Sequence, residues 1–219
     1  IAMAAENAAE MLTALKSQQE KEQDQNLEAL DEIQEYLNLG SPPQRIECYD
    51  ISTMQGTAQV GSMVVFQEGQ PLKSHYRRFN IRTVRGPDDF ASMEEVLTRR
   101  FRRWEAAQAG QGKPGHNPDA SFSTLPDLLL VDGGKGQVSR AVEVLESFDL
   151  LDTIPVAGLA KRHEEVFVPG KMRPLLIPRN SPGLYMLQRI RDESHRFAIT
   201  SHQKRRTREG LKSTLEKIP

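Results

Sequence analysis

The chain has 219 residues, 37% of them hydrophobic, and a formal net charge of −1. That length holds one large domain, or one domain with an appendage, and no stretch approaches the ~20 apolar residues that a membrane span needs. The single cysteine, Cys48, excludes an internal disulfide and fits a reducing cytoplasm.

The near-neutral total hides an asymmetry. Residues 1–40 carry two lysines and nine acids, whereas residues 41–219 carry 27 basic and 21 acidic side chains. An acidic arm avoids polyanions; a basic body can meet one. The opening residues, Ile1 to Glu6, lack the basic segment of a secretory leader. The chain starts without Met, so it is expected to be a piece of a longer protein.

Residues 1–38 hold no Pro or Gly and are rich in Ala, Glu, Gln and Leu, which predicts one or two helices. Ala4, Ala8, Leu12 and Leu15 recur at helical spacing, and the polar run Gln18–Gln25 is a candidate break. Gly40-Ser-Pro-Pro43 ends this arm. With few large apolar residues it is expected to be a connector (1–40) ahead of one domain (41–219).

Arg45 to Ile51 reads as a strand, and Cys48 inside it as a core residue. Ala58 to Gln67 is a second strand, Glu68-Gly-Gln-Pro71 a hairpin signal, and Leu72 to Ile81 a third strand. Gly86-Pro-Asp-Asp89 leads into a helix from about Phe90 to Ala107, with Phe90, Met93, Val96, Leu97, Phe101 and Trp104 on one face. Gly110 to Ser123 is a polar loop. Then come strand Leu128–Val131, helix Gln137–Ser147, strand Ile154–Leu159 and a hairpin-like stretch, Glu165–Pro178. A long helix follows, capped by Ser181 with Pro182 at its first position, and runs to about Arg208. This order predicts an α/β fold: a mixed sheet flanked by helices in the ribonuclease H-like layout, with the N-terminal helical arm outside it. In that layout the first strand lies beside the fourth, so acids at their ends meet.

Two aspartates end apolar strands. Asp50 closes Arg45-Ile-Glu-Cys-Tyr-Asp50, and Asp132 closes Leu128-Leu-Leu-Val-Asp132 ahead of Gly133-Gly-Lys-Gly136. Each either caps a turn or holds a hard cation. Two Asp side by side are costly unless a metal neutralises them. Glycines after Asp132 would let a polyanion approach the backbone. The run is not a nucleotide-binding P-loop, because the spacing GxxxxGK[ST] is absent. His195 lies at the edge of a helical seam of Leu184, Leu187, Ile190, Ser194 and Phe197. It is either a hydrogen-bonded structural residue or a third ligand. One of Asp88 and Asp89 is expected to cap the helix that follows; the other could reach the site. Lys135 and Lys161 follow strand ends and suit phosphate or solvent equally. Two basic runs, Arg99-Arg-Phe-Arg-Arg103 and Lys204-Arg-Arg-Thr-Arg208, offer a non-specific phosphate footprint through Arg99, Arg100, Arg205 and Arg206.

Seven separate runs, in order, resemble the UvrC family. They are Glu47-Cys-Tyr-Asp-Ile-Ser52, Gly61-Ser-Met-Val-Val-Phe66, Tyr76-Arg-Arg-Phe-Asn-Ile81, Gly86-Pro-Asp-Asp-Phe-Ala-Ser-Met93, Val131-Asp-Gly-Gly-Lys-Gly-Gln137, Gly158-Leu-Ala-Lys161 and Ile190-Arg-Asp-Glu-Ser-His-Arg-Phe-Ala-Ile199. The resemblance spans about residues 44–219. It implies the family's C-terminal endonuclease domain, a divalent-metal-dependent nuclease that makes the 5′ incision in bacterial nucleotide excision repair. It places an Asp-Asp-His ligand set for Mg²⁺ or Mn²⁺ on Asp50, Asp132 and His195, and a further acid on Asp89. The implied partners are damaged double-stranded DNA and the UvrB–DNA pre-incision complex, with no membrane. It also implies that the 3′-cutting domain, the UvrB-contacting hairpin and the helix-hairpin-helix module lie outside this chain. The rival reading is a non-catalytic DNA- or protein-binding module on the same fold.

Overall fold

The computed structural model describes residues 2–54, 58–84, 86–110, 118–161 and 164–215. Helix α1 (Ala2–Leu37) leads into strands β1 (Arg45–Met54), β2 (Ala58–Gln67), β3 (Gln70–Pro71) and β4 (Arg77–Asn80). Helices α2 (Asp89–Ala109) and α3 (Ala120–Ser123) follow, then β5 (Leu128–Asp132), α4 (Lys135–Ser147), β6 (Val156–Ala160), β7 (Glu165–Phe167) and α5 (Pro182–Leu215). The seven strands form one sheet in the order β3-β2-β1-β5-β6-β7, with β4 also paired to β2. β1 is antiparallel to β2 and parallel to β5. The expected adjacency of the first strand and the strand ending on Asp132 is therefore present.

Side chains alternate between the two sheet faces, as strand geometry requires. Tyr49, Val131, Met63 and Phe79 pack under α2 and α4 with Met93, Val96, Leu97 and Phe101. Ile46, Cys48, Leu128, Leu130 and Val64 pack on the other face, under α5 with Leu184, Leu187 and Ile190. That alternation carries from Cys48 to Asp50 and from Leu130 to Asp132, so both aspartates belong to the α5 face.

Four local expectations are revised. The first strand does not close at Asp50: β1 stays paired with β2 to Met54, so Asp50 lies inside it, one residue past the last pair with β5. The polar run Gln18–Gln25 does not break the helix; α1 is continuous from Ala2 to Leu37. Its final turns join the body: Ala29, Leu30 and Ile33 are buried with α5, and Glu32 accepts from Ser181 Oγ and the Gly183 amide at the start of α5. The single strand expected at Leu72–Ile81 is divided. The ladder stops after the Leu72 N–H bond to Val65 O, a 3-10 turn lifts Lys73–His75 off the sheet, and β4 rejoins it. The stretch Glu165–Pro178 keeps only β7 and an isolated bridge between Val166 and Leu175. No helix among the described residues is long and apolar enough to cross a membrane.

Candidate active site

Asp50, Asp132 and His195 meet at one rim of the sheet. Each offers a ligand atom, and these atoms all lie within 4.8 Å of one another. The pairing Tyr49↔Val131 brings the two aspartates into neighbouring positions. His195 is delivered by α5, whose approach is set by two small residues. Ser194 is fully buried against Ser62 (Oγ–Oγ 3.2 Å), and Ser62 pairs with Asp50 across β1 and β2. A larger side chain at either serine would lift the helix and His195 with it. The signal for this contact was already present in the chain, as a small polar residue inside an otherwise apolar helical seam.

Asp50 is buried, and its Oδ2 accepts from Ser52 Oγ at 2.8 Å. His195 Nδ1 lies 3.6 Å from that oxygen. The Asp132 carboxylate is buried too. The Lys161 ammonium stands 2.9 Å from Asp132 Oδ2, yet that oxygen has no aligned hydrogen-bond donor. The contact is an ion pair without the directionality of a hydrogen bond. Burial pushes the Asp132 carboxyl above its ordinary range; the neighbouring Asp50 adds to this, and Lys161 and Arg191 oppose it. Lys161 Nζ is also 3.5 Å from His195 Nδ1. One turn before His195, Arg191 pairs with Glu164 at 2.6 Å and fixes the segment after β6 to α5. Neither Ser52 nor the Arg191–Glu164 pair stood out in the sequence.

Of the glycines after Asp132, Gly136 serves packing between helices. A Cβ on Gly136 would lie 2.4 Å from the Phe90 ring, so α2 and α4 meet closely there. α4 begins at Lys135 without a side-chain cap. Its amino end, with the positive pole of the helix dipole, follows three residues after Asp132. Lys135 is exposed at that end.

Other expected residues go elsewhere. Asp88 is the N-cap of α2, accepting from the Ala91 amide at 3.0 Å. Asp89 does not join the three ligands. Its Oδ1 accepts from Gln59 Nε2 at 3.0 Å, and Gln59 in turn accepts from Ser92 of α2 at 2.5 Å, so this acid is held toward the α2 side of the sheet.

Arg100 is not a phosphate contact. It is fully buried against Glu47, which it meets through Nη2–Oε1 (2.9 Å) and Nε–Oε2 (3.1 Å), and it donates to the carbonyls of Phe122 and Thr124. The reason is helical: Arg100 follows Val96 by one turn on the inward stripe of α2. Burial raises the Glu47 carboxyl, but Arg100 and Arg45 outweigh it and hold the net below the ordinary range. Arg99 is partly exposed and is engaged by Asn80 O and Glu95. The side chains of Arg205 and Arg206 lie outside the described residues.

The three-residue rim has the features of a cation site. Two buried carboxylates adjoin an imidazole, and one carboxylate oxygen lacks a directed donor. Comparisons with known proteins agree on the family. Residues 34–199 match the family model of the UvrC RNase H endonuclease domain. The chain is 48% identical to the UvrABC system protein C of Dehalococcoides mccartyi, over all of this chain and 34% of that protein. It is 46% identical to that of Moorella thermoacetica, over 98% of this chain and 33% of the relative. The chain thus spans about a third of the length of these relatives. Among solved structures, endonuclease V of Bacillus subtilis aligns over 74% of this chain and 83% of its own, with 13% identity and a TM-score of 0.38, too slight a likeness to argue from. A ribonuclease H-like sheet, acids just past the last pair of its two central parallel strands and a family match across most of the described body lead to one assignment: the chain belongs to the UvrC RNase H endonuclease domain family.

Proposed function

We propose that the chain makes the 5′ incision of bacterial nucleotide excision repair, hydrolysing a phosphodiester of damaged duplex DNA in a metal-dependent reaction. The observation that carries this reading is the convergence of Asp50, Asp132 and His195 within 4.8 Å, on a rim where Asp132 Oδ2 has no aligned donor. These three would hold a divalent cation, Mg²⁺ or Mn²⁺; the imidazole favours Mn²⁺. Such an ion, when bound, supplies an acidified water and neutralises charge on the phosphate.

The remaining work falls to the chain. Ser52 orients the Asp50 carboxylate. Ser62 and Ser194 hold α5 at the distance that presents His195. Lys161, which meets Asp132 and His195, would seat the scissile phosphate together with Lys135 and the amino end of α4, without reading base sequence. The products are a 3′-hydroxyl and a 5′-phosphate. Sequence-blind contacts suit a cutter that a UvrB–DNA complex positions, in the cytoplasm.

The test is calorimetric titration of Mn²⁺ into the chain, paired with incision of a lesion-bearing duplex loaded with UvrB. Asp50→Asn and Asp132→Asn are expected to lose metal binding and incision while keeping the native circular dichroism spectrum. Parent protein that is folded yet blind to Mn²⁺ would instead mark a non-catalytic module.

A further inference from the structure

We infer that the outer edge built by β4 and the second half of α2 is a seat for the sugar–phosphate backbone of duplex DNA, two strands away from the rim that holds Asp50. This inference rests on the endonuclease reading above and adds the surface along which the duplex lies.

Arginines concentrate on this edge. β4 and the segment after it contribute Arg77, Arg78 and Arg82, and α2 contributes Arg99, Arg102 and Arg103. The last three recur at helical spacing and share one side of the helix. Their placement is built rather than incidental. Arg103 lies 4.6 Å over the Phe122 ring and 5.6 Å over Phe79, Arg99 5.5 Å over Phe79, and Arg78 4.5 Å over Phe197. A guanidinium with its flat face on an aromatic ring keeps its N–H edge free and loses less conformational entropy on binding.

Several of the nearby carboxylates are already engaged. Asp119 is paired with Arg77 at 2.6 Å. Glu95 accepts from Arg99, from the Arg82 and Thr83 amides and from Thr83 Oγ1. Asp88 caps α2, and Glu94 stands 3.7 Å from Arg140. After these pairings the guanidiniums of Arg78, Arg82, Arg102 and Arg103 have no hydrogen bond or ion pair among the described residues. An open groove of about 710 Å³ runs between the Arg82–Val84 segment and Arg99 and Arg102.

Register ties this edge to the site. Arg78 pairs with Ser62, and Ser62 pairs with Asp50. With strands ~4.8 Å apart, β4 lies about 10 Å from β1. That is of the order of a duplex groove, ~6–12 Å wide, and since α2 packs on the opposite face of the sheet from Asp50, one duplex would meet both places by passing around the β4 edge. Charge without an apolar centre favours nucleic acid over protein here. Phe90 is the one large apolar side chain of α2 that is strongly exposed among the described residues, and it lies more than three turns before Arg102. Protein interfaces bury an apolar core, whereas DNA interfaces are polar and strongly basic.

The experiment measures binding of a labelled, mixed-sequence DNA duplex to the chain by fluorescence anisotropy across a salt series. R82Q/R102Q removes two exposed cations whose guanidiniums have no hydrogen bond or ion pair among the described residues, so its thermal midpoint is expected to match the parent. Its plot of log affinity against log salt is expected to flatten by about 2, at ~0.9 for each phosphate that is no longer neutralised. K171Q/R173Q makes the same charge change at exposed positions after β7 and is expected to leave the slope in place. An unchanged slope in R82Q/R102Q overturns the inference, as does an equal loss in both variants, which would mean bulk charge alone. Mn²⁺ titration of the same proteins separates the two ideas. Failure of metal binding in the parent counts against the nuclease reading, and an unmoved salt slope counts against the edge.

Discussion

The buried charge cluster beneath α2 gives the sharpest test of the packing argument, through two substitutions with ordered costs. Glu47 is fully buried and accepts from Arg45, Arg100 and Tyr49. Among the described residues it is the one carboxylate that pairs with either arginine side chain. E47Q keeps the shape and removes the only anion, leaving two buried cations side by side. Breaking a buried pair in this way costs about 3–5 kcal/mol. R100M is milder, because Arg45 and Glu47 still neutralise each other. Its cost comes from the carbonyls of Phe122 and Thr124, which lose their donor. Two orphaned acceptors, a buried one at about 1–3 kcal/mol and a part-buried one near the lower end of that range, amount to about 2–4 kcal/mol. At ~2–4 °C per kcal/mol for a chain of this size, the midpoint should fall by about 4–16 °C in R100M and about 6–20 °C in E47Q. The double variant should cost less than the sum, since the two residues share one network. Thermal unfolding by circular dichroism measures all three, and DNA affinity is read below each midpoint. The reasoning is refuted if R100M melts within about 2 °C of the parent while losing DNA affinity. Arg100 would then be a phosphate contact after all.

Three more outcomes are expected. D132N should melt higher than the parent in metal-free buffer near neutral pH. Burial raises the folded pKa of Asp132, so its ionisation opposes folding once pH climbs above the unfolded value of ~3.9, and the amide escapes that cost. K161Q should bind Mn²⁺ more tightly in the absence of DNA, by up to about fivefold, because it removes a half-exposed ammonium that competes for the same carboxylate. Glu95 is held at about 2 because hydrogen bonds from Thr83, Arg82 and Arg99 outweigh its burial. Its depressed pKa stabilises the fold above the unfolded value of ~4.3, and that contribution is lost as pH falls toward 2. E95Q should therefore lower the midpoint at pH 7, and the gap to the parent should close in a melting series taken down through that window.

Much of this protein is legible from sequence because the forces involved are local. Alternation along Arg45–Ile51 and the apolar run Leu128–Val131 specify strands, and the break after Asp132 places a carboxylate at that strand's end, whereas the continuation of β1 past Asp50 to Met54 was not legible. The seam Leu184–Leu187–Ile190–Ser194 specifies the buried side of α5, and with it a position at the edge for His195. The tertiary structure decided what periodicity does not encode. The parallel register of β1 and β5 makes neighbours of acids 82 positions apart in the chain. Arg100, Arg102 and Arg103 sit in a single basic run, yet Arg100 is buried and the other two are exposed. Their fates separate because Glu47, from a distant strand, faces one of them. Asp88 and Asp89 are adjacent, and only the local turn and the reach of Gln59 assign one to the helix cap and the other to the sheet. Polar sequence in α1 suggested a connector without saying whether it packs on the body, and its last turns are retained by Leu30 and Ile33 in the core and by Glu32 at the start of α5. Local hydrophobic patterning selects the elements. Pairing between distant segments, where a buried charge must find its partner, selects the site.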